Sequence, residues 1–373
     1  MLKPINSLRT KVMKLIQKMK WRHWLLLSLL VLVGIIKWSH QLSYFYTRAV
    51  YPVIGSVLSA VSGLVPFAVG DIFIALSILW VLFCLRKKTT LLKAAEYLLW
   101  IYVWFYIAWG LNYTQPNIYL RTGMKPAEVD KDKLREFAYR YADSLNLLSE
   151  EQESEERRVK SEEQESEEQE SEEWKQRVSD AIQNVYEKMG RKEGINAPFN
   201  PHPHVKTMVF TPISSMAGVT GSMAPFFCEF TLNGDIRPHD YPAIYAHEYA
   251  HFLGIAHEGE ANFYSYIVCT SSTNQAVRFS GYYHIFFHVL HNVFDILGEK
   301  EGEKFLNHIR PEIIRLAKDD RHYWRSKRSK MLDAAQDFVF DLYLKGNNVS
   351  EGRKSYSGVV ALILAWENRS IAH

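Results

Sequence analysis

His247-Glu248-Tyr249-Ala250-His251 reads H-E-x-x-H, and Phe-Leu-Gly-Ile-Ala-His-Glu-Gly-Glu-Ala-Asn follows as residues 252–262. On a helix His247 and His251 stand one turn apart, so both imidazoles leave the same face and their neutral nitrogens can hold one zinc ion. Glu248 lies beside them, where it reaches a water on the metal and acts as general base. The same five letters also occur by chance on surface helices with two solvated histidines. The context argues otherwise, because Ala243, Ile244, Ala246, Ala250, Phe252 and Leu253 make the surrounding helix apolar. A buried helix does not carry His-Glu-His without a partner for the charge. Asp240 and Pro242 mark its start and Gly254 its stop.

A third ligand has three candidates. His257 completes H-E-x-x-H-x-x-G-x-x-H, the spacing of metzincins. Those also need a methionine turn, and the only methionine after the motif is Met331, in a charged helical stretch. Glu258 opens Glu258-Gly-Glu260-Ala261-Asn262, which is similar to the second metal helix of gluzincins, where the first glutamate ligates zinc and the acid or amide four residues on braces the site. Glu258 and Asn262 share a helix face, whereas Glu260 is about 200° away. Glu258 is therefore the expected third ligand, ahead of His257 and then Glu260.

The 373 residues leave room for a membrane region and one catalytic domain. A formal charge of +3 is too small to point to nucleic acid, and the 14% aromatic content suits membrane-interface segments. Basic residues crowd positions 1–22, and apolar runs follow at 24–39, 71–85 and 91–111, predicting about three transmembrane helices within residues 1–111. Residues 50–70, broken by Pro and Gly, read as interfacial or re-entrant. The N-terminal lysines and Arg86-Lys87-Lys88 with Lys93 belong in the cytoplasm, so residues 112–373 are predicted extracytoplasmic.

Within that part an acidic low-complexity insert at 149–173 cannot build a core and is either a long solvated helix or disordered. Strand signals occur at 205–210 and 226–233, with Gly218, Gly221 and Ser222 as a flexible turn between them. Residues 226–233 are in place to pair with an extended substrate, or else form a core strand, and Glu229 helps order the site or is a surface carboxylate. Residues 281–291 read as one buried aromatic helix carrying His284, His288 and His291, which suit packing more than metal. Further helices are expected over 300–320, 327–345 and 359–366. Arg353, Tyr356 and the His291 group are possible oxyanion donors. Cys228 and Cys269 either pair as a disulfide or stay as buried thiols.

Beyond the metal motif the chain resembles an uncharacterised bacterial membrane family, domain of unknown function thirty-eight ten. The residues that carry the resemblance are Pro66-Phe67 with Gly70-Asp71, Trp109-Gly110-Leu111-Asn112-Tyr113, and Pro225-Phe226 with Glu229. His247-Glu248-x-x-His251-x-x-Gly254 and Glu258-x-Glu260-Ala261-Asn262-Phe263 extend it, as do Tyr343-Leu344-Lys345 and Ser355-Tyr356-Ser357. His257 stands where that family more usually has a basic residue. The resemblance implies a membrane-anchored, zincin-like protein without an assigned substrate.

The expected fold is thus an α-helical membrane anchor followed by a mostly helical α+β zincin-like domain with a small sheet. The expected activity is zinc peptidase action on a peptide or protein substrate, with His247, His251 and Glu258 on the metal and Glu248 as base. The alternative is a non-catalytic zinc-binding sensor or scaffold of the cell envelope.

Overall fold

The computed structural model describes residues 19–86, 90–126, 130–159, 167–199, 205–329 and 358–371. It is mostly helical with one small sheet. α1 (Trp21–Trp38) is followed by a short helix, His40–Phe45, a π-turn, Tyr46–Val50, and α2 (Tyr51–Ser62). Next come α3 (Val69–Leu85) and α4 (Leu91–Ala108). Residues read as interfacial are therefore largely helical, and Pro52 sits in the first turn of α2, where its missing N–H is not needed. α1 and α4 are each 18 residues long and apolar enough to cross a membrane, and α3 is similarly apolar but shorter. Their apolar side chains point outward rather than into a core: Leu25, Val31 and Ile35 on α1, Ile78 and Leu82 on α3, and Leu92 on α4 are all exposed.

Beyond the predicted end of the third run, residues 110–114 form a 3-10 turn and Ile118–Thr122 one short helix. α5 (Lys131–Val159) and α6 (Glu167–Met189) follow. Helix thus enters the acidic insert from both sides, as glutamate and glutamine favour it.

The sheet has three strands in the order β1-β3-β2, with β1 (Lys206–Thr207) parallel to β3 (Glu229–Leu232) and β2 (Gly221–Ala224) antiparallel to it. A short helix, α7 (Thr211–Met216), joins β1 to β2. One expectation fails here, and of the two readings of 226–233 the core strand is the one found. Gly221 and Ser222, read as a flexible turn, begin β2. The stretch 226–233 supplies β3, whose two edges are already paired, so substrate cannot add there. β2 is the strand with a further edge, and no described strand covers it.

The remaining helices are α8 (Tyr241–Phe252), α9 (Glu258–Thr270), α10 (Gln275–His284), α11 (Phe286–Asn292), α12 (Glu299–His308), α13 (Pro311–Lys327) and α14 (Gly358–Ile371). The single helix expected over 281–291 is two, broken at Ile285. The one expected over 300–320 is also two, because Arg310 is extended before Pro311, as a residue preceding proline prefers. The helix expected over 327–345, with Met331, lies outside the described residues.

α8 is the centre of the body. Tyr245, Tyr249 and Phe252 are fully buried around Phe230 of β3. Its N-terminal turn is tied to α9 and α10, where Ser265 Oγ donates to the Ala243 carbonyl and Ala243 N–H donates to Ser280 Oγ. At the other end the backbone turns through Gly254 at φ +94°, a conformation suited to glycine. The terminal carbonyls a helix leaves unpaired are taken by side chains from distant segments. Trp109 Nε1 donates to the His251 carbonyl (3.0 Å), Tyr51 Oη to Phe252 (2.6 Å), Asn196 Nδ2 to Leu253 (2.9 Å) and Gln115 Nε2 to Gly254 (2.7 Å).

Candidate metal centre

α8 and α9 pack closely, and their contact brings three ligand atoms together. His247 Nε2 lies 3.0 Å from His251 Nε2 and 3.1 Å from Glu258 Oε2, and His251 Nε2 is 3.5 Å from the same oxygen. Ligands of a tetrahedral ion at metal–ligand distances of ~2.0–2.1 Å stand about 3.3 Å apart, so the triangle has the right size for such an ion.

The protonation pattern supports the same reading. His247 Nδ1 donates to the amide oxygen of Asn262 (2.7 Å), and His251 Nδ1 donates to the Ile255 carbonyl (2.6 Å). A carbonyl only accepts, so each Nδ1 carries a hydrogen and each Nε2 is turned toward the other two groups. Two Nε2 atoms and a carboxylate oxygen then converge at 3.0–3.5 Å, which calls for a proton or a metal ion among them. Burial alone opposes a charged imidazole, yet Glu258 beside it raises His251 to about 9. Burial likewise opposes ionised Glu258, but the His251 and His247 rings hold its carboxyl well below the ordinary carboxylate range. The three groups are placed so that they could hold a metal ion.

Of the competing ligands, His257 is not in this group and instead makes an edge contact with Tyr113. Glu260 is buried and committed elsewhere, accepting from Arg121 Nη2 at 2.5 Å and from Ile118 N–H at 3.1 Å. Asn262 serves two rings, because its amide oxygen also accepts from His284 Nε2 at 3.2 Å. His284 is pushed down to about 3 by burial and so is neutral. It braces the brace rather than joining the metal group, and neither His288 nor His291 lies in a described metal cluster. Asn262→Ala is expected to weaken zinc affinity 10–100-fold, the usual cost of losing such a support, as read by chelator competition. An unchanged affinity would remove Asn262 from the site.

Glu248 is buried on the same helix, and its Oε2 has no hydrogen-bond partner among the described residues. Its carboxyl is raised above the usual range, chiefly by burial, with His247 and His251 partly opposing. It lies flat against β2: a Cβ at Gly221 would stand 2.4 Å from Glu248 Oε1. Only glycine lets the carboxylate come this near to the strand. Sequence reading missed Gly221, although a glycine inside a short strand signals close approach.

Glu229, left open between ordering the site and the surface, is buried in β3. It accepts from Lys206 Nζ at 2.5 Å and from Gly70 N–H at 2.6 Å, and Lys206 also donates to the Ser62 carbonyl at 2.8 Å. Cys228 and Cys269 are buried free thiols, each raised by burial, to about 12 for Cys228. Arg353 and Tyr356 lie outside the described residues.

A second cluster, His239, Asp240 and Asp320, lies apart from the first. There the Asp320 carboxylate already accepts from Arg237, His239 and Tyr283, so it is a hydrogen-bond hub.

These features describe a mostly helical protein with two helices long and apolar enough to cross a membrane and a cluster of two histidines and one carboxylate that could hold a metal ion. A family described as "Protein of unknown function (DUF3810)" matches residues 46–364, and the chain belongs to that family. No curated protein and no solved structure matches the chain.

Proposed function

We propose that the chain is a membrane-anchored zinc metallopeptidase, with His247, His251 and Glu258 holding the metal and Glu248 as general base. The observation that carries this reading is the convergence of two Nε2 atoms and one carboxylate oxygen beside a buried carboxylate that is not itself a ligand. A structural site needs ligands and no base, and it favours cysteine-rich shells. Three protein ligands with an open fourth position is the catalytic pattern.

Zinc held by these residues would supply a Lewis acid and a bound water whose pKa is lowered to about 7. The protein's own residues do the rest. β2 takes an extended peptide along its second edge by strand addition. Glu248, facing that edge at Gly221, accepts the proton of the attacking water and passes it to the leaving amine. Asn262 and the Ile255 carbonyl fix the tautomers that keep both Nε2 atoms available. The exposed apolar faces of α1, α3 and α4 support membrane embedding, and the basic residues at 86–88 with Lys93 support a cytoplasmic end there, leaving the metal centre extracytoplasmic.

The test is the metal content of the full chain in detergent, by mass spectrometry, for the parent and for His247→Ala, Glu258→Ala and His257→Ala. About one zinc per chain is expected, lost with the first two changes and kept with the third. Loss with His257→Ala instead would replace Glu258 as ligand. A folded parent that takes up no zinc would leave only the sensor or scaffold reading.

Affinity should also depend on pH with a definite sign. Below about 9 His251 carries a proton that zinc must displace, so affinity falls as pH is lowered, by about tenfold per unit for one proton. Chelator competition between pH 6 and 8 reads this, and a flat profile would contradict the His251 assignment.

A further inference from the structure

We infer that the substrate of this site is a polypeptide segment just leaving the bilayer, cut within a few residues of the membrane surface. This rests on the peptidase reading above and adds where its substrate comes from.

The argument begins at the far end of β2. Ala224 packs directly on Gly70, in the first turn of α3: a Cβ at Gly70 would meet the Ala224 Cβ at 2.6 Å. Gly221, against which Glu248 lies, is three residues back, or about 10 Å along a strand. The reacting carbonyl therefore lies roughly 10 Å from the level at which α3 begins. The chain after β2 goes further down. Phe226 and Phe227 pack against Phe73 of α3, tilted and edge-on, at ring-centroid distances of 5.1 and 5.3 Å, and Trp104 Nε1 of α4 donates to the Phe226 carbonyl at 3.1 Å. β2 is thus a strand that descends between its catalytic end and the apolar helices.

A separate observation places the bilayer surface at the same height. Leu64, Phe67, Val209, Phe210, Ile213 and Met216 are exposed apolar side chains from two segments, the entry to α3 and the β1–α7 region. Asp71 Oδ2 accepts from Val209 N–H at 2.8 Å, which fixes α7 to the first turn of α3. This patch continues into the exposed apolar face of α3 itself, so its occupant is lipid. The basic end of α13 flanks it: Ser329 N–H donates to the Met216 carbonyl at 2.9 Å, and Arg325 and Arg328 are exposed there. Apolar insertion edged by arginine suits an interface with anionic headgroups. A peptide added to β2 from this side emerges from the membrane beside α3.

The test uses the full chain, zinc-loaded, in nanodiscs of phosphatidylcholine with a quarter phosphatidylglycerol. Substrates are single-span polypeptides in which the span is followed by a fixed 20-residue extended polar stretch, directly or after Gly/Ser spacers of 4, 8 and 16 residues. Scissile bonds are mapped by mass spectrometry. Cleavage is expected within about six residues of the span in every substrate, moving into the spacer as it lengthens, and the same stretch as a free peptide should be cut at least tenfold more slowly. Cutting at one fixed bond whatever its distance, or equal cutting of the free peptide, would overturn the inference while leaving the peptidase intact. A zinc-loaded protein that cuts neither would sink both.

A second readout needs no activity. A spin label at Ile213→Cys should be relaxed by oxygen more than by a water-soluble nickel chelate, with the reverse for a label at Lys318→Cys on exposed α13. Equal behaviour at the two positions would also overturn the inference.

Discussion

Glu248→Gln is expected to lower kcat for peptide cleavage about 10²–10⁴-fold, the range for losing a positioned general base, with zinc content unchanged. Three observations set this expectation. Glu248 is not one of the converging ligand atoms, so the amide removes no metal bond. Glutamine has nearly the same volume, so the fit against Gly221 survives. The carboxyl sits above its ordinary range through burial, which suits a group that must take a proton and give it back near neutral pH. Metal content and kcat are measured on one preparation. Falling together, they would make Glu248 a structural residue. An unchanged kcat would remove it from catalysis.

Lys206→Met is expected to destabilise the fold by about 3–5 kcal/mol, because it leaves the Glu229 carboxylate buried without its cation. For a body of this size that is a fall of roughly 10 °C in Tm. Both side chains are almost inaccessible, 3% for Lys206 and 2% for Glu229. The double change Lys206→Met with Glu229→Gln should recover most of the loss, because it removes both charges. Thermal melts of the full chain in detergent, followed by metal retention, decide this. A double variant no better than the single one would show that the stability resides in packing around Lys206 rather than in its charge.

The metal motif was legible because its chemistry is local. His247, Glu248 and His251 lie within five residues of one helix, so periodicity aligns them, and Glu258 follows seven residues on, at the start of the next helix. The choice of Glu258 over His257 rested on the missing methionine turn and the likeness to the gluzincin helix, and over Glu260 on helix phase; α9 brings Glu258 into the group. Asn262 followed from the same phase. The sheet was less legible. β2 is Gly-Ser-Met-Ala, with no β-branched or aromatic residue, and propensity reads such a stretch as a turn. It is a strand because β3 pairs with it and α8 packs on it, both tertiary causes. Lys206, Arg121, Tyr51 and Gln115 were invisible for a related reason. Each meets its partner across 23 to 201 residues of sequence, and no spacing rule reaches that far.

The four side chains that close the end of α8 have a consequence for how this molecule can be divided. Tyr51 and Trp109 lie in the stretch that also holds the apolar helices, as do Ser62 and Gly70, which complete the Lys206–Glu229 pair. A fragment starting at residue 112 would remove two of the four hydrogen bonds that close α8 and open the floor of the sheet. The helices from Tyr46 onward are therefore foundation rather than tether, and the family match begins at that same residue. α1 lies before it. Yet α1 is joined to the same body, with Val33 buried and Lys37 donating to Tyr106 of α4, so a water-soluble version will come from redesigning the outward faces of the apolar helices, not from deleting them.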